Sequence, residues 1–347
     1  MVLLPGPKRN PASSLHGPCP HARRGSCNLV QKPVRPNARW HEGKREPAER
    51  PLFQPESRPV TGAQMAEDWS QCSPIGLNGN ADIARQLPIY YDWSRTSFWV
   101  RNDRGGWVMI KTPDVRRSLI EQGFRNKAAP NEQVSQVDSL LTAIQRCNDV
   151  DYADSLAGYA TGVYMINEKR ILVRDSPRLI QPAPGVWDLL QAIIRNMLGP
   201  EQQLYLFGWL KVAILALYKS KFRTGQALTL AGPKDCGKSL LQNLITEILG
   251  NRSVKPHRYM SGLTPFNGEL FGSEYLIIED EEASTDIRAR RNFGTKIKEI
   301  CANLTQSCHG KHRQALTLNP FWRLTISVND EPENLMILPP IDESLEG

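Results

Sequence analysis

Gly232-Pro233-Lys234-Asp235-Cys236-Gly237-Lys238-Ser239 is an unbroken G-x-x-x-x-G-K-S run with a strand-like segment before it and a helical one after it. Gln226 to Ala231 reads as a buried strand entering the glycine turn, and Lys238 to Leu249 carries a helical period. Gly250-Asn251 then stands where a chain turns out of a helix with positive φ. A triphosphate must be wrapped by backbone N–H groups, which converge only where Cβ atoms are absent or turned away, and Gly232 and Gly237 supply that freedom. Lys238 places a point charge on the β- and γ-phosphates, Ser239 offers a hydroxyl to Mg²⁺, and the helix N-terminus adds its positive dipole.

The chain has 347 residues, room for two or three domains, and a formal charge of +7. That charge is local. Residues 1–64 hold 11 Lys+Arg and 4 Glu, whereas residues 65–347 balance at 32 basic and 32 acidic side chains, so net charge gives no argument for DNA binding by the body of the protein. The same first segment carries 11 of the 26 prolines and neither helical nor strand period, and is expected to be disordered, either as a basic tail or as an extension ahead of a start at Met65. Its proline density disfavours a transit peptide. No apolar run is long enough for a signal sequence or a membrane span, so the expectation is a soluble, cytoplasmic protein with no membrane partner. Seven scattered cysteines suit a reducing compartment, and Cys301, Cys308, His309 and His312 depart from zinc-ligand spacing.

In the middle of the chain, Ile89 to Trp93, Ser97 to Val100 and Trp107 to Ile110 read as short strands, the last two joined by a turn at Asn102 to Gly106. Their period-two aromatics read first as sheet core, and second as stacking surfaces for unpaired bases. Pro113 to Gly123 and Asn131 to Cys147 read as helices, with Val134, Val137, Leu140, Leu141 and Ile144 as the apolar stripe of the second. Strands follow at Gly162 to Ile166 and Arg170 to Val173. Pro177, Pro182, Pro184 and Gly185 mark a boundary, after which Val186 to Leu198 and Glu201 to Tyr218 read as helices broken at Gly199-Pro200. The expected organisation is a segment 1–64, a small α/β accessory domain over 65–185 and an α/β P-loop NTPase core with a helical lead-in over 186–347.

A phosphate loop needs a metal-ordering acid and a water-polarising group. Tyr275 to Ile278 reads as a buried parallel strand ending in Glu279-Asp280-Glu281-Glu282, which places carboxylates beside the loop of the neighbouring strand. Asp280 is the candidate for the Mg²⁺ shell, Glu279 for polarising water, and Glu281 the alternative base. Trp322 to Val328 reads as a third strand, ending in Asn329, whose amide suits a sensor of the γ-phosphate. Between the second and third strands, His309 to Gln314 is a basic loop tip, flanked by segments that could pair, from which Lys311, His312 and Arg313 could reach nucleic-acid phosphates.

In this order the pieces resemble the superfamily 3 helicases of viruses, phages and plasmids, and more closely the helicase half of phage-type primase-helicases. Gly232 to Ser239 looks like the family's motif A, Ile277 to Asp280 like motif B, Gly310 to His312 like the DNA-gripping hairpin, and Ser327 to Asn329 like motif C. The resemblance implies an AAA+-like, hexameric, ATP-hydrolysing ring that draws single-stranded DNA through a central pore, among the replication proteins of a phage, prophage or mobile element. It also implies an arginine finger from beyond motif C. No arginine follows Arg323, which leaves Arg288, Arg290 and Arg291 as substitutes, and Leu338 to Gly347 reads as the start of a further element, so a C-terminal truncation is expected. Residues 65–185 carry no acidic constellation of a primase or polymerase. Two other readings fit the residues: a nucleotide-dependent DNA-binding or assembly module with little turnover, and, less well, a small-molecule kinase, which would need basic lid residues after the core strands.

Overall fold

The computed structural model describes residues 2–3, 79–103, 105–279, 287–311 and 314–338, and within them the chain is mixed α/β. Asp280, Glu281, His312 and Arg313, nearly all of the segment 1–64, and the element expected after Leu338 lie outside the described residues. Val2–Leu3 form a short strand, β1, inside the segment expected to be disordered; a parallel ladder to the loop strand supplies the pairing that its composition does not advertise.

Helix α1 (Asn80–Gln86) leads into strands β2 (Ile89–Asp92), β3 (Ser97–Arg101) and β4 (Trp107–Ile110), an antiparallel meander. Helices α2 (Thr112–Glu121) and α3 (Gln136–Cys147) pack on it, and strand β5 (Asp149–Val150) adds in parallel to β2. Leu119, Leu140 and Ile144 are fully buried in this core with Phe98. The third helix begins later than its apolar pattern suggests. Ser135 caps it, its Oγ accepting from the Asp138 N–H at 3.1 Å, so Val134 falls outside the helix and is exposed instead of joining the stripe.

A second small sheet is formed by β6 (Tyr152–Asp154), β7 (Gly162–Ile166) and β8 (Lys169–Val173), in the order β6-β8-β7. Two helices follow, α4 (Asp188–Met197) and α5 (Pro200–Tyr218), meeting at Gly199. Proline tolerates the first helical turn of α5 because its missing N–H has no partner there.

The site rests on a five-stranded parallel sheet. It contains β9 (Leu228–Ala231), β10 (Ser253–Val254), β11 (Tyr275–Glu279) and β14 (Arg323–Val328), in the order β1-β9-β14-β11-β10. Helices α6 (Lys238–Ile248), α7 (His257–Met260), α8 (Ile287–Ala302) and α9 (Pro332–Leu335) and the antiparallel hairpin β12 (Gln306–Cys308) and β13 (Leu316–Leu318) complete this part. Every residue of β9 and β14 is buried, as expected for strands covered on both faces. Polar groups set the register inside that layer: Gln242 Nε2 on α6 donates to Thr325 Oγ1 at 2.9 Å, and the Tyr275 hydroxyl lies 2.7 Å from the same atom. Burial pushes the Tyr275 phenol up.

One core runs through both the small β6-β8-β7 sheet and the parallel sheet, joining Leu156, Ile171 and Val173 to Phe271, Trp322 and Leu324. The Ala157 N–H donates to the Phe271 carbonyl at 2.7 Å, and the Phe321 N–H to the Ala157 carbonyl at 3.0 Å. Gly158 has φ +85°, and a Cβ there would come within 2.5 Å of Phe222 and 2.6 Å of Phe321. Close approach of the segment therefore requires glycine.

Candidate functional site

The glycine loop leaves β9 at Gly232, whose N–H donates to the Val328 carbonyl at 3.2 Å, and enters α6 at Lys238. Its left-handed turn is made by Asp235 (φ +60°) and Gly237 (φ +97°), and not by Gly232, a difference from the expected pair of glycines. Gly237 carries a second constraint, because a Cβ there would meet Met197 Sδ at 3.1 Å. The last residue of α4 thus packs onto the loop.

Lys238 is buried, and its Nζ donates to the Gly232 carbonyl at 2.8 Å, the Pro233 carbonyl at 2.9 Å and Asn329 Oδ1 at 3.0 Å. An ammonium has three protons, so all are placed, yet every one of these acceptors is neutral and Lys238 has no ion pair among the described residues. A buried cation with no counter-ion at ion-pair distance among the described residues is in a costly setting, which a nearby negative charge relieves. Lys234 to Leu240 and Asn329 line a cleft of about 340 Å³ at this point, with Ser239 exposed in the first turn of α6.

Asn329 reaches Lys238 because of the strand order. β14 pairs directly with β9, Val328 opposite Ala231, so the residue after β14 emerges beside the loop. The strand ending in Glu279 was expected to be the loop's direct neighbour. It is one strand farther away, with Glu279 opposite Ser327 of β14 and roughly two strand spacings of about 4.8 Å from β9. Glu279 is half-buried, and its Oε2 accepts from Lys255 Nζ at 3.0 Å. Of the expected site residues, the structure therefore brings together the loop, Lys238 and Asn329, and sets Glu279 at the end of the next strand; Asp280 and Glu281 fall outside the described residues.

The basic loop tip is carried by the β12–β13 hairpin, which is held to the body by a buried asparagine. Asn267 Oδ1 accepts from the His309 N–H at 2.7 Å, its Nδ2 donates to the Ser307 carbonyl at 2.8 Å, and its own N–H donates to the His309 carbonyl at 3.1 Å. Lys311 is exposed at the tip. His312 and Arg313 lie outside the described residues. Arg288 and Arg291 are exposed on α8, while Arg290 is half-buried with an Nε that has no partner among the described residues.

Met197, Lys255 and Asn267 are contributors that sequence reasoning did not find. Each acts across a long sequence separation, and neither spacing nor periodicity carries a signal for such a contact. The same holds for a buried ion pair behind the site. Arg252 donates to Glu274 through Nε at 2.8 Å and through Nη2, and to Asp175 Oδ1 at 2.9 Å, while Glu274 Oε1 accepts from the Gly158 N–H at 2.7 Å. Burial pushes the Glu274 carboxyl up against the opposing pull of Arg252. Burial also pushes Asp175 up, but the Ser155 hydroxyl and the Arg174 and Arg252 guanidiniums outweigh it and hold that carboxyl below its ordinary value.

A family of unknown function, DUF5906, matches residues 230–343, a span that takes in the glycine loop, the Glu279 strand, the hairpin and Asn329. No curated protein matches the chain. Among solved structures it is similar to the apo C-terminal region of NrS-1, at 14% identity and a TM-score of 0.47, covering 75% of this chain and 58% of that one. It is also similar to JCV helicase, at 14% identity and a TM-score of 0.27, covering 42% of this chain and 39% of that one. The chain thus spans 58% of the NrS-1 structures it matches.

Proposed function

We propose that this chain is an ATP-dependent, ring-forming helicase-type ATPase with an AAA+-like superfamily 3 core, acting on single-stranded DNA in the cytoplasm during replication of a phage or other mobile element. The observation that carries the reading is Lys238: a buried ammonium whose acceptors among the described residues are all neutral, at the carboxyl end of a parallel sheet, at the start of a helix and beside Asn329. Open parallel sheets bind ligands at that end, and a helix start supplies unpaired N–H donors for phosphate.

In this reading Gly232 to Ser239 wrap the triphosphate, and Lys238 exchanges its loop carbonyls for the β- and γ-phosphate oxygens. Asn329, already on Lys238, moves with it and orients the attacked end of the nucleotide. Ser239 and Asp280 would hold Mg²⁺, which when bound neutralises charge on the phosphates. Glu279 accepts a proton from the attacking water, with Glu281 as the alternative, and Lys311, His312 and Arg313 contact the nucleic-acid backbone. Ring formation is supported by apolar side chains exposed on and near the lead-in helices, among them Val186, Leu189, Leu204 and Tyr205, which a second copy would cover.

The test is steady-state ATP hydrolysis with and without single-stranded DNA. The expected outcome is hydrolysis stimulated by DNA and abolished in Lys238→Ala; equal rates for the two proteins would overturn the assignment. One observation favours the second reading, a nucleotide-dependent DNA-binding or assembly module with little turnover: Glu279, the candidate base, accepts from Lys255 through Oε2. Gel filtration with and without ATP, run beside the turnover assay, separates the two. A module of that kind assembles on ATP yet hydrolyses no faster with DNA.

A further inference from the structure

Trp93, Arg258, Phe266 and Lys311 line one cleft of about 820 Å³, walled on one side by the turn after β2 and by β5 and β6, and on the other by α7, the segment after it and the β12–β13 hairpin. Trp93 is 57% exposed, unlike the aromatics around it: Tyr91, Phe98, Trp99 and Trp107 are buried. An indole left open in a polar cleft forgoes its burial energy, and here the exposure is built in. The turn that carries it is pinned by the buried Asp92, whose Oδ1 accepts from the Ser94 N–H at 2.9 Å, the Ser94 hydroxyl at 2.6 Å and the Arg95 N–H at 3.2 Å. The ring itself stands edge-on to Tyr91, with centroids 4.8 Å apart.

Charge in the cleft is also arranged. Asp149 pairs with Arg170 at 3.3 Å, Asp151 with Lys169 at 3.1 Å, and Asp154 with Arg95 and with Arg174 at 3.6 Å, so these acids are compensated within their own wall. Arg258 and Lys311 are exposed and have no ion pair among the described residues, and Glu269, likewise unpaired there, opposes them. An open aromatic ring with two uncompensated cations facing one groove is the chemistry that recognises an unpaired polynucleotide, with the ring taking a base and the cations taking phosphates.

We propose that this cleft is the path of single-stranded nucleic acid, with Trp93 as a base-stacking platform and Arg258 and Lys311 as phosphate contacts. The inference rests on the nucleic-acid reading of the Lys311 hairpin and extends it to the opposite wall, which neither the glycine loop nor the hairpin would have indicated. Glu269 tunes the groove by repelling the backbone.

The experiment is fluorescence anisotropy of labelled oligo-dT, oligo-rU and an abasic strand of equal length on the full chain without nucleotide. Trp93→Ala and Trp93→Leu are expected to weaken oligo-dT binding roughly tenfold, on the scale of one stacked base, while Trp93→Phe stays close to wild type. On the abasic strand the same variants match wild type. Arg258→Ala lowers the slope of log affinity against log salt by about 0.7, the contribution of one phosphate on a single strand, and Glu269→Gln tightens binding. Unchanged oligo-dT affinity in both the Ala and Leu variants overturns the proposal, and so does an equal loss on the abasic strand, which would mean a structural role. The failures are distinguishable: a wild-type chain that hydrolyses ATP but binds no strand sinks the cleft together with the DNA-acting part of the proposed function, strand binding that falls in Lys311→Ala but not in the Trp93 variants sinks the cleft alone, and strand binding without hydrolysis sinks the ATPase alone.

Discussion

Among the described residues, Lys238 is held by acceptors that carry no charge, and the proposed chemistry of the site depends on that neutrality. Asn329 supplies one of the three, at 3.0 Å. Replacing it with aspartate keeps the size and adds a carboxylate at hydrogen-bond distance, so Lys238 gains an internal counter-ion and loses its demand for an external one. Asn329→Asp is expected to bind a fluorescent ATP analogue at least tenfold more weakly than wild type, whereas Asn329→Ala binds it nearly as well and instead turns over about 10²- to 10³-fold more slowly. Equal binding by wild type and the aspartate variant would mean that the ammonium does not meet phosphate. Cys301 contrasts with these residues in being inert by position: burial pushes its thiol up to about 11, with Arg323 opposing. It stays protonated, and hence unreactive, through the neutral range.

Among the elements, the hairpin is set apart by its anchor. Its strands bury Cys308 and Leu318 in the main core, and the three hydrogen bonds of Asn267 tie their base to the body. Asn267→Ala leaves the His309 N–H and the Ser307 carbonyl without that partner, at a cost of about 1–3 kcal/mol. Hydrogen exchange at 306–318 is therefore expected to quicken, with DNA stimulation of hydrolysis falling while basal hydrolysis holds; unchanged exchange would show that the asparagine does not position the hairpin. How legible an element was in the sequence follows from how locally it is determined. The loop, β9, α6, β11 and β14 were all readable, because buried parallel strands are apolar runs and the loop motif is contiguous. The order of the strands was not, since nothing in Tyr275 to Glu279 says that Arg323 to Val328 will lie between it and β9. The pairing of the segments that flank the basic loop tip was readable, and β12 and β13 form it, but the Asn267 contact that fixes their base was not.

For the molecule as a whole, the ion-pair cluster of Arg252, Glu274 and Asp175 fastens the β6-β8-β7 segment to the parallel sheet. Its pH dependence has two opposing parts. Asp175 titrates in the fold below its ordinary value of 3.8, so its stabilisation is present above that pH and is lost as the pH falls through the folded value. Glu274 is shifted the other way by burial, so its own protonation favours the fold as the pH falls towards and below its folded value. Asp175→Asn is accordingly expected to melt below wild type at pH 7, with the gap closing as the buffer is taken below about pH 4; a gap that persists in acid would assign the loss to packing. The strand order has a further consequence during synthesis. β9 and β11 leave the ribosome before β14, and neither can satisfy its inner edge until residues 323–328 arrive to separate them. The nascent chain therefore carries two open, apolar β edges through the making of everything between, and such edges are the ones prone to pair wrongly.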